Sequence, residues 1–104
     1  MNTFKEREAA FENKYAHDMD MQFRASARSH KLLGLWAAEK LGIAGDEAEA
    51  YAKTVVIADL EEPGHEDVVR KVSADLGDKS SPEKIRKKMQ KFRRIAKAQI
   101  FEEV

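Results

Sequence analysis

The chain has 104 residues, of which 42% are hydrophobic and 37% charged, and its net charge is zero. This length suits one domain with a modest core, and the absence of cysteine excludes disulfides, iron–sulfur clusters and thiolate chemistry. No apolar run approaches the roughly 20 residues that cross a bilayer, and the first residues resemble neither a signal segment nor a transit peptide. We therefore expect a cytoplasmic protein with no direct membrane insertion.

The zero net charge hides four blocks of alternating sign. Residues 1–20 carry a net charge of −2 and residues 21–42 carry +3, whereas residues 43–77 carry −6 and residues 78–104 carry +5. Blocks of this kind are typical of helices that attract one another in a bundle, or of separate charged faces that are offered to a partner.

Apolar residues follow helical spacing along the chain, and strand-like alternation is nearly absent. Glycine and proline cluster only near 42–46, 63–65 and 77–82, which predicts three turns. Short turns between four amphipathic segments predict an all-α fold, a four-helix bundle. The predicted helices run over about 18–41, from Asp46 to Pro63, over about 65–76, and from Ser80 through Ile100.

The first predicted helix has a glycine in its interior. Its apolar stripe comprises Phe23, Ala27, Gly34, Ala37 and Leu41. A glycine inside a helix costs about 1 kcal/mol relative to alanine. We therefore expect another helix to cross closely at Gly34.

Histidines and carboxylates form no convincing reaction site. His17 lies near Asp18 and Asp20, but on a helix only His17 and Asp20 share a face, which favours an exposed histidine over a metal ligand. His30 and His65 stand alone, and we predict surface or capping roles for both. The chain also lacks a glycine-rich phosphate loop and a Gly-flanked serine. We therefore expect no enzyme activity, catalytic residue, metal or cofactor.

The fourth predicted helix combines an apolar stripe with many cations. The stripe consists of Ile85, Met89, Phe92, Ile95, Ala96 and Ile100. Eight Lys and Arg residues lie between positions 84 and 97. A solvated face beside the acidic second and third helices is the interpretation that we favour. The alternative is that the helix binds nucleic acid, because such cations bind phosphate. Against this alternative, the aromatic residue of the stripe, Phe92, is needed for the core. We expect no nucleic-acid partner.

The first residues form a segment that the bundle does not need. Phe4, Phe11, Tyr15 and Met19 lie on one helical stripe. Burying these few side chains cannot offset the entropy of ordering the whole segment, so we expect it to be frayed until a groove in a partner receives the stripe. The alternative is that the segment extends the first helix and packs on the bundle. The pattern alone leaves both open.

Four stretches indicate a protein family more specifically, through their amino-acid sequences, their order and their spacing. They read AFENKYAHD from Ala10, KLLGLWAAE from Lys31, VVIADLEEPG from Val55 and EDVVRKVSADL from Glu66. Together they resemble the zeta subunit family, the inhibitors of alpha-proteobacterial F-type ATP synthase. The resemblance is close over about residues 3–76 and looser from residue 78, where the last helix is strongly basic.

The resemblance implies a mobile N-terminal inhibitory arm, residues 1–18, on a four-helix bundle domain, residues 19–104. In that family the arm enters the catalytic head between alpha and beta subunits, near the gamma subunit, and blocks rotation in the direction of ATP hydrolysis. Carried over by position, the partner-binding residues are Phe4, Arg7, Glu8, Phe11, Glu12, Asn13, Lys14 and Tyr15.

The same resemblance implies a regulatory subunit that is monomeric when free and peripheral to the inner membrane when bound to ATP synthase. Two other functions remain open at this stage. The bundle could sense a nucleotide through its basic last helix, or the chain could be a helix-in-groove adaptor for an unrelated partner.

Overall fold

A computed structural model describes the backbone of residues 4–61 and 66–102, and the side chains of residues 18–59, 66–100 and 102. Within these ranges the chain is all-helical, without a strand, which confirms the predicted four-helix fold. The elements are α1 (Phe4–Leu41), α2 (Gly45–Glu61), α3 (Glu66–Leu76), a 3-10 turn (Gly77–Lys79) and α4 (Pro82–Glu102).

Helix α1 is longer than the range of about 18–41, and it follows the alternative left open by the sequence in that the first residues extend the first helix. It begins at Phe4 rather than near residue 18, and it runs without a break to Leu41. No glycine or proline stands between Met1 and Leu33 to end it. Most of the predicted arm therefore shares one helix with the bundle. The division into an arm and a bundle domain stays a prediction.

The remaining boundaries lie close to those predicted. Gly77 ends α3 with a φ of +53°, a left-handed conformation that favours glycine. Ser81 is the cap of α4, because its Oγ accepts a hydrogen bond from the backbone N–H of Lys84 at 3.2 Å. Pro82 follows at the first helical position, where its missing N–H is not needed.

The core lies between α1 and the other three helices. Helix α1 packs along α2 and α4, and α3 closes the bundle against both. The largest fully buried side chains come from all four helices and are Leu33, Val55, Val68, Val72 and Ile85. Burying a side chain of this size stabilises the fold by about 1.5–3 kcal/mol, so this cluster fixes the arrangement of the helices.

Helix α2 crosses α1 at Gly34, as the sequence predicted. A Cβ atom built on Gly34 would lie 2.6 Å from the Cα of Ala52 and 3.3 Å from a Cγ of Val55. The first distance is far shorter than a van der Waals contact, and it involves backbone. Only glycine lets the two helices approach this closely.

The prediction of which α1 residues face the core was partly wrong. Phe23, which we had placed in the core, is 62% exposed. The buried face instead follows a four-residue spacing through positions 25, 29, 33 and 37, with 30, 34 and 38 beside them. This face contains Ser29 and His30, so a search for apolar residues could not trace it. Ala27, also on the predicted stripe, is only half-buried.

His30 was predicted at the surface, and this prediction was wrong. The residue is 3% exposed and lies in the interface between α1 and α2. Its Nδ1 lies 3.6 Å from Oδ2 of Asp59 on α2. A carboxylate at this distance helps to offset the loss of hydration of a buried imidazole. The pair could not be predicted from the sequence because its members are far apart along the chain.

Polar contacts tie α3 to both of its neighbours. The Tyr51 hydroxyl of α2 donates to Oδ2 of Asp75 at 2.9 Å, and the Lys71 ammonium donates to the same oxygen at 3.1 Å. Burial and this hydrogen bond together raise the pKa of the Tyr51 hydroxyl far above its usual range. On the other side, Arg86 of α4 donates to Glu66 at 2.9 Å. That bond lowers the pKa of Glu66, so the pair persists into mildly acidic solution.

Candidate partner-binding surface

Helix α1 extends beyond the bundle at its N-terminal end. Towards this end, Arg28 of α1 contacts α4, because its Nη1 donates to Gln99 at 3.0 Å. The first buried side chain of the described part of α1 is Ala25. The helix before that point spans roughly 30 Å at about 1.5 Å per residue. The molecule is accordingly elongated, with extents of 63 × 26 × 20 Å.

Two large apolar side chains are exposed on this extension. Met19 is 50% exposed and Phe23 is 62% exposed. They lie four residues apart, so they are neighbours on one side of the helix. Apolar side chains that adjoin each other on a surface mark an interaction site more often than isolated ones do. They form the part of the candidate surface whose side chains are described.

The predicted partner-binding residues all belong to α1, but their side chains lie outside the described residues. These are Phe4, Arg7, Glu8, Phe11, Glu12, Asn13, Lys14 and Tyr15. Positions 15, 19 and 23 follow one another by four along α1, so the stripe predicted for the arm continues to Phe23. Our prediction missed Phe23 because we assigned it to the core. The four-residue step from Met19 was the signal that could have found it.

Two of the three charged residues in the described extension form an ion pair. Asp20 pairs with Arg24 one turn later, with 3.0 Å between carboxylate and guanidinium. Both side chains are more than half exposed, so the pair contributes little to stability. It leaves the neighbouring Met19 and Phe23 as the prominent features of this stretch.

Helix α4 presents the second prominent surface. Its apolar stripe is buried as predicted at Ile85, Met89, Ala96 and Ile100, whereas Ile95 lies at the edge and is 36% exposed. The opposite side of the helix is lined by exposed cations. At the start of the helix an acidic neighbour is present as we expected, because Arg86 pairs with Glu66.

The described residues provide neither a metal site nor a membrane span. They contain no group of three or more His, Asp or Glu side chains that could hold a metal ion. His17 and His65, two of the three histidines considered above, fall outside the residues whose side chains are described. None of the described helices is long and apolar enough to cross a membrane.

Comparison with known proteins decides the family. The model of the family ATPase inhibitor subunit zeta matches residues 1–99. The chain belongs to this family. The match covers the whole of α1, including the extension beyond the bundle, and nearly all of α4. The resemblance inferred from the four sequence stretches is therefore confirmed.

One solved structure has a similar fold. A protein studied by solution NMR is 55% identical to this chain and superposes with a TM-score of 0.75. The similarity covers 81% of this chain and 99% of that one. No curated protein matches the chain.

Proposed function

We propose that this zeta-family subunit inhibits ATP hydrolysis by inserting the N-terminal part of α1 into the catalytic head of ATP synthase. The inserted helix lies between alpha and beta subunits near the gamma subunit and blocks rotation in the hydrolytic direction. The packed bundle remains outside, and the part of α1 before Ala25 enters the head; this part comprises the predicted arm, residues 1–18, and its continuation through Phe23. The protein is then peripheral to the membrane that holds the enzyme.

The observation that carries this proposal is the extension of α1. Helix α1 contributes Leu33 to the core, and its backbone continues roughly 30 Å toward the N-terminus from Ala25, the first buried position among its described side chains. The described side chains of the extension are exposed, except for the half-buried Met21. An exposed amphipathic helix is the form in which a groove between subunits can bind it without first dismantling the bundle.

Family membership favours this function over the two alternatives that the sequence left open. The family consists of ATPase inhibitor subunits, which supports an ATP synthase partner over an unrelated one. A nucleotide sensor would also need a phosphate-binding loop, and the sequence contains none.

The proposal is tested by adding the purified protein to isolated catalytic heads of the cognate enzyme and following ATP hydrolysis. We expect inhibition that saturates at one copy of the protein per head, because one arm suffices to block the rotor. Hydrolysis that continues unchanged at a large excess of the protein would contradict the proposal.

Replacing Phe23 by alanine should weaken this inhibition. Truncating a large anchor in an interface typically costs about 1–3 kcal/mol, which corresponds to roughly a 5- to 150-fold rise in the inhibition constant. Phe11→Ala and Tyr15→Ala should act in the same direction. The melting temperature of Phe23→Ala should stay unchanged, since the side chain is 62% exposed.

Ile57→Ala is the matched control for the Phe23 variant. Ile57 is 53% exposed but lies on α2, away from the stripe. We expect its inhibition constant to stay within twofold of that of the wild type. Equal effects of the two substitutions would show that exposed apolar area in general matters, and would remove the special role of the α1 stripe.

A further inference from the structure

The outward side of α4 carries a row of cations that the fold does not use. Lys87, Lys91, Arg94 and Lys97 are all exposed, and they follow one another at steps of four, three and three residues. Helical geometry places them as consecutive neighbours on the side opposite the buried Ile85 and Ala96. We call these four residues the basic face.

No acidic group within the described residues compensates the basic face. None of its four side chains has an ion pair or a hydrogen bond there. Between Glu83 and Glu102 the sequence contains eight Lys and Arg residues and not one acid. Like charges at these spacings destabilise a helix. The chain tolerates this repulsion although its net charge is zero and it carries 19 acidic residues elsewhere.

The position of the basic face relates it to the extension of α1. Helices α1 and α4 run antiparallel, because Arg28 contacts Gln99 while Lys88 stacks on the ring of Trp36 at 5.8 Å. The C-terminal end of the basic face, at Lys97, therefore lies near the point where α1 leaves the bundle. A partner that holds the extension would meet the basic face next.

We propose that the basic face docks on an acidic protein surface of the same catalytic head that receives the arm, and so provides a second contact that speeds capture. This inference rests on the proposed function. Complementary charge accelerates association and is screened by salt. A second contact on one partner also raises the effective concentration of the arm at its groove.

The composition of the face favours a protein over a nucleic acid or a lipid surface. Aromatic side chains that stack on bases are a regular feature of single-stranded nucleic-acid sites, and none lies on the basic face. Helices that bind in the plane of a membrane bury an apolar side in the lipid. The apolar side of α4 is already occupied by the core, at Ile85, Met89 and Ile100.

The test compares two full-length double variants that lose the same charge. Lys87→Gln with Lys91→Gln removes half of the basic face. Lys53→Gln with Lys79→Gln removes two exposed, unpaired lysines from α2 and the 3-10 turn. Glutamine resembles lysine in helix propensity, so all variants should melt as the wild type does. Binding to immobilised catalytic heads is measured at several salt concentrations.

We expect the association rate constant of the Lys87/Lys91 variant to fall about tenfold at low salt, with a weaker dependence on salt. The control variant should stay within twofold of the wild type. Near 1 M salt the screening length is about 3 Å, and the three proteins should converge.

Equal rates for the two variants would overturn the inference while leaving the proposed function intact, provided that the wild type inhibits. A wild type that neither binds nor inhibits the heads would overturn both. Tighter binding of the wild type to phosphatidylglycerol vesicles or to duplex DNA than to the heads would also overturn the inference, since it would assign the basic face to another partner.

Discussion

We expect deletion of Met1–Asp18 to abolish inhibition of ATP hydrolysis and to leave the bundle folded. The deleted helix carries the predicted anchors Phe4, Phe11 and Tyr15. The loss of two or more anchors worth about 1–3 kcal/mol each weakens binding on the order of a hundredfold or more. The residues that form the core, by contrast, lie at Ala25 and beyond in the described part of the chain. Hydrolysis assays and circular dichroism measure the two effects on the same sample.

The control for the deletion is a full-length chain in which Phe4, Phe11 and Tyr15 are all replaced by alanine. Alanine preserves helix propensity, so this variant keeps the helix and loses only the apolar stripe. It should inhibit as poorly as the truncated chain. A truncated chain that inhibits as well as the wild type would refute insertion of the arm.

Replacing Gly34 by alanine destabilises the bundle, although alanine is the better helix former. Propensity alone would stabilise α1 by about 1 kcal/mol. The new Cβ, however, would lie 2.6 Å from the Cα of Ala52, and backbone atoms of α2 must move to relieve the overlap. Overpacking of a core typically costs about 1–3 kcal/mol. We expect a lower melting temperature, by about 4–8 °C for each kcal/mol lost.

Glu39→Ala isolates the contribution of helix propensity. Glu39 lies on the same helix but is exposed, so the substitution should change the free energy of unfolding by less than about 0.5 kcal/mol. A Gly34→Ala variant as stable as the Glu39→Ala variant would show that α1 and α2 are not in close contact at this crossing.

The secondary structure of the bundle could be predicted largely from local signals. Turns appear where glycine and proline cluster, and Gly77 and Pro82 stop and start helices for reasons of backbone geometry alone. The close crossing at Gly34 was also predictable, because a glycine inside a long helix needs a packing reason. Local signals did not mark the start of α1. No glycine or proline lies before Leu33, so nothing in the sequence separates a frayed first segment from a continuous helix.

The functional surface was only partly predictable. Phe23 fits both the core stripe of α1 and the stripe of the arm, and helical periodicity cannot choose between them when the bundle covers only part of the helix. Its 62% exposure resolves the choice. His30 shows the reverse case, because this polar residue is buried near Asp59, a residue distant in the chain. Its burial follows from tertiary packing, which no local pattern encodes.

The two halves of the long helix α1 differ in their contacts with the rest of the fold. The C-terminal half of α1, around Leu33, is held by contacts with α2 and α4. The N-terminal half precedes Ala25, the first buried position among the described side chains, and under the proposed function it is the part that binds the partner. Since stability is distributed unevenly in this way, the arm can change its environment without unfolding the bundle.

Amide hydrogen exchange across residues 4–24, in the free protein and bound to catalytic heads, tests insertion of α1 most directly. We expect these amides to exchange much faster than those around Leu33 in the free protein, because their helical hydrogen bonds lack support from a second helix. Binding should slow their exchange on the order of a hundredfold, in line with the affinity assigned to the arm. Protection that is already as strong as at Leu33 in the free protein, or that does not change in an inhibited complex, would contradict the insertion of α1.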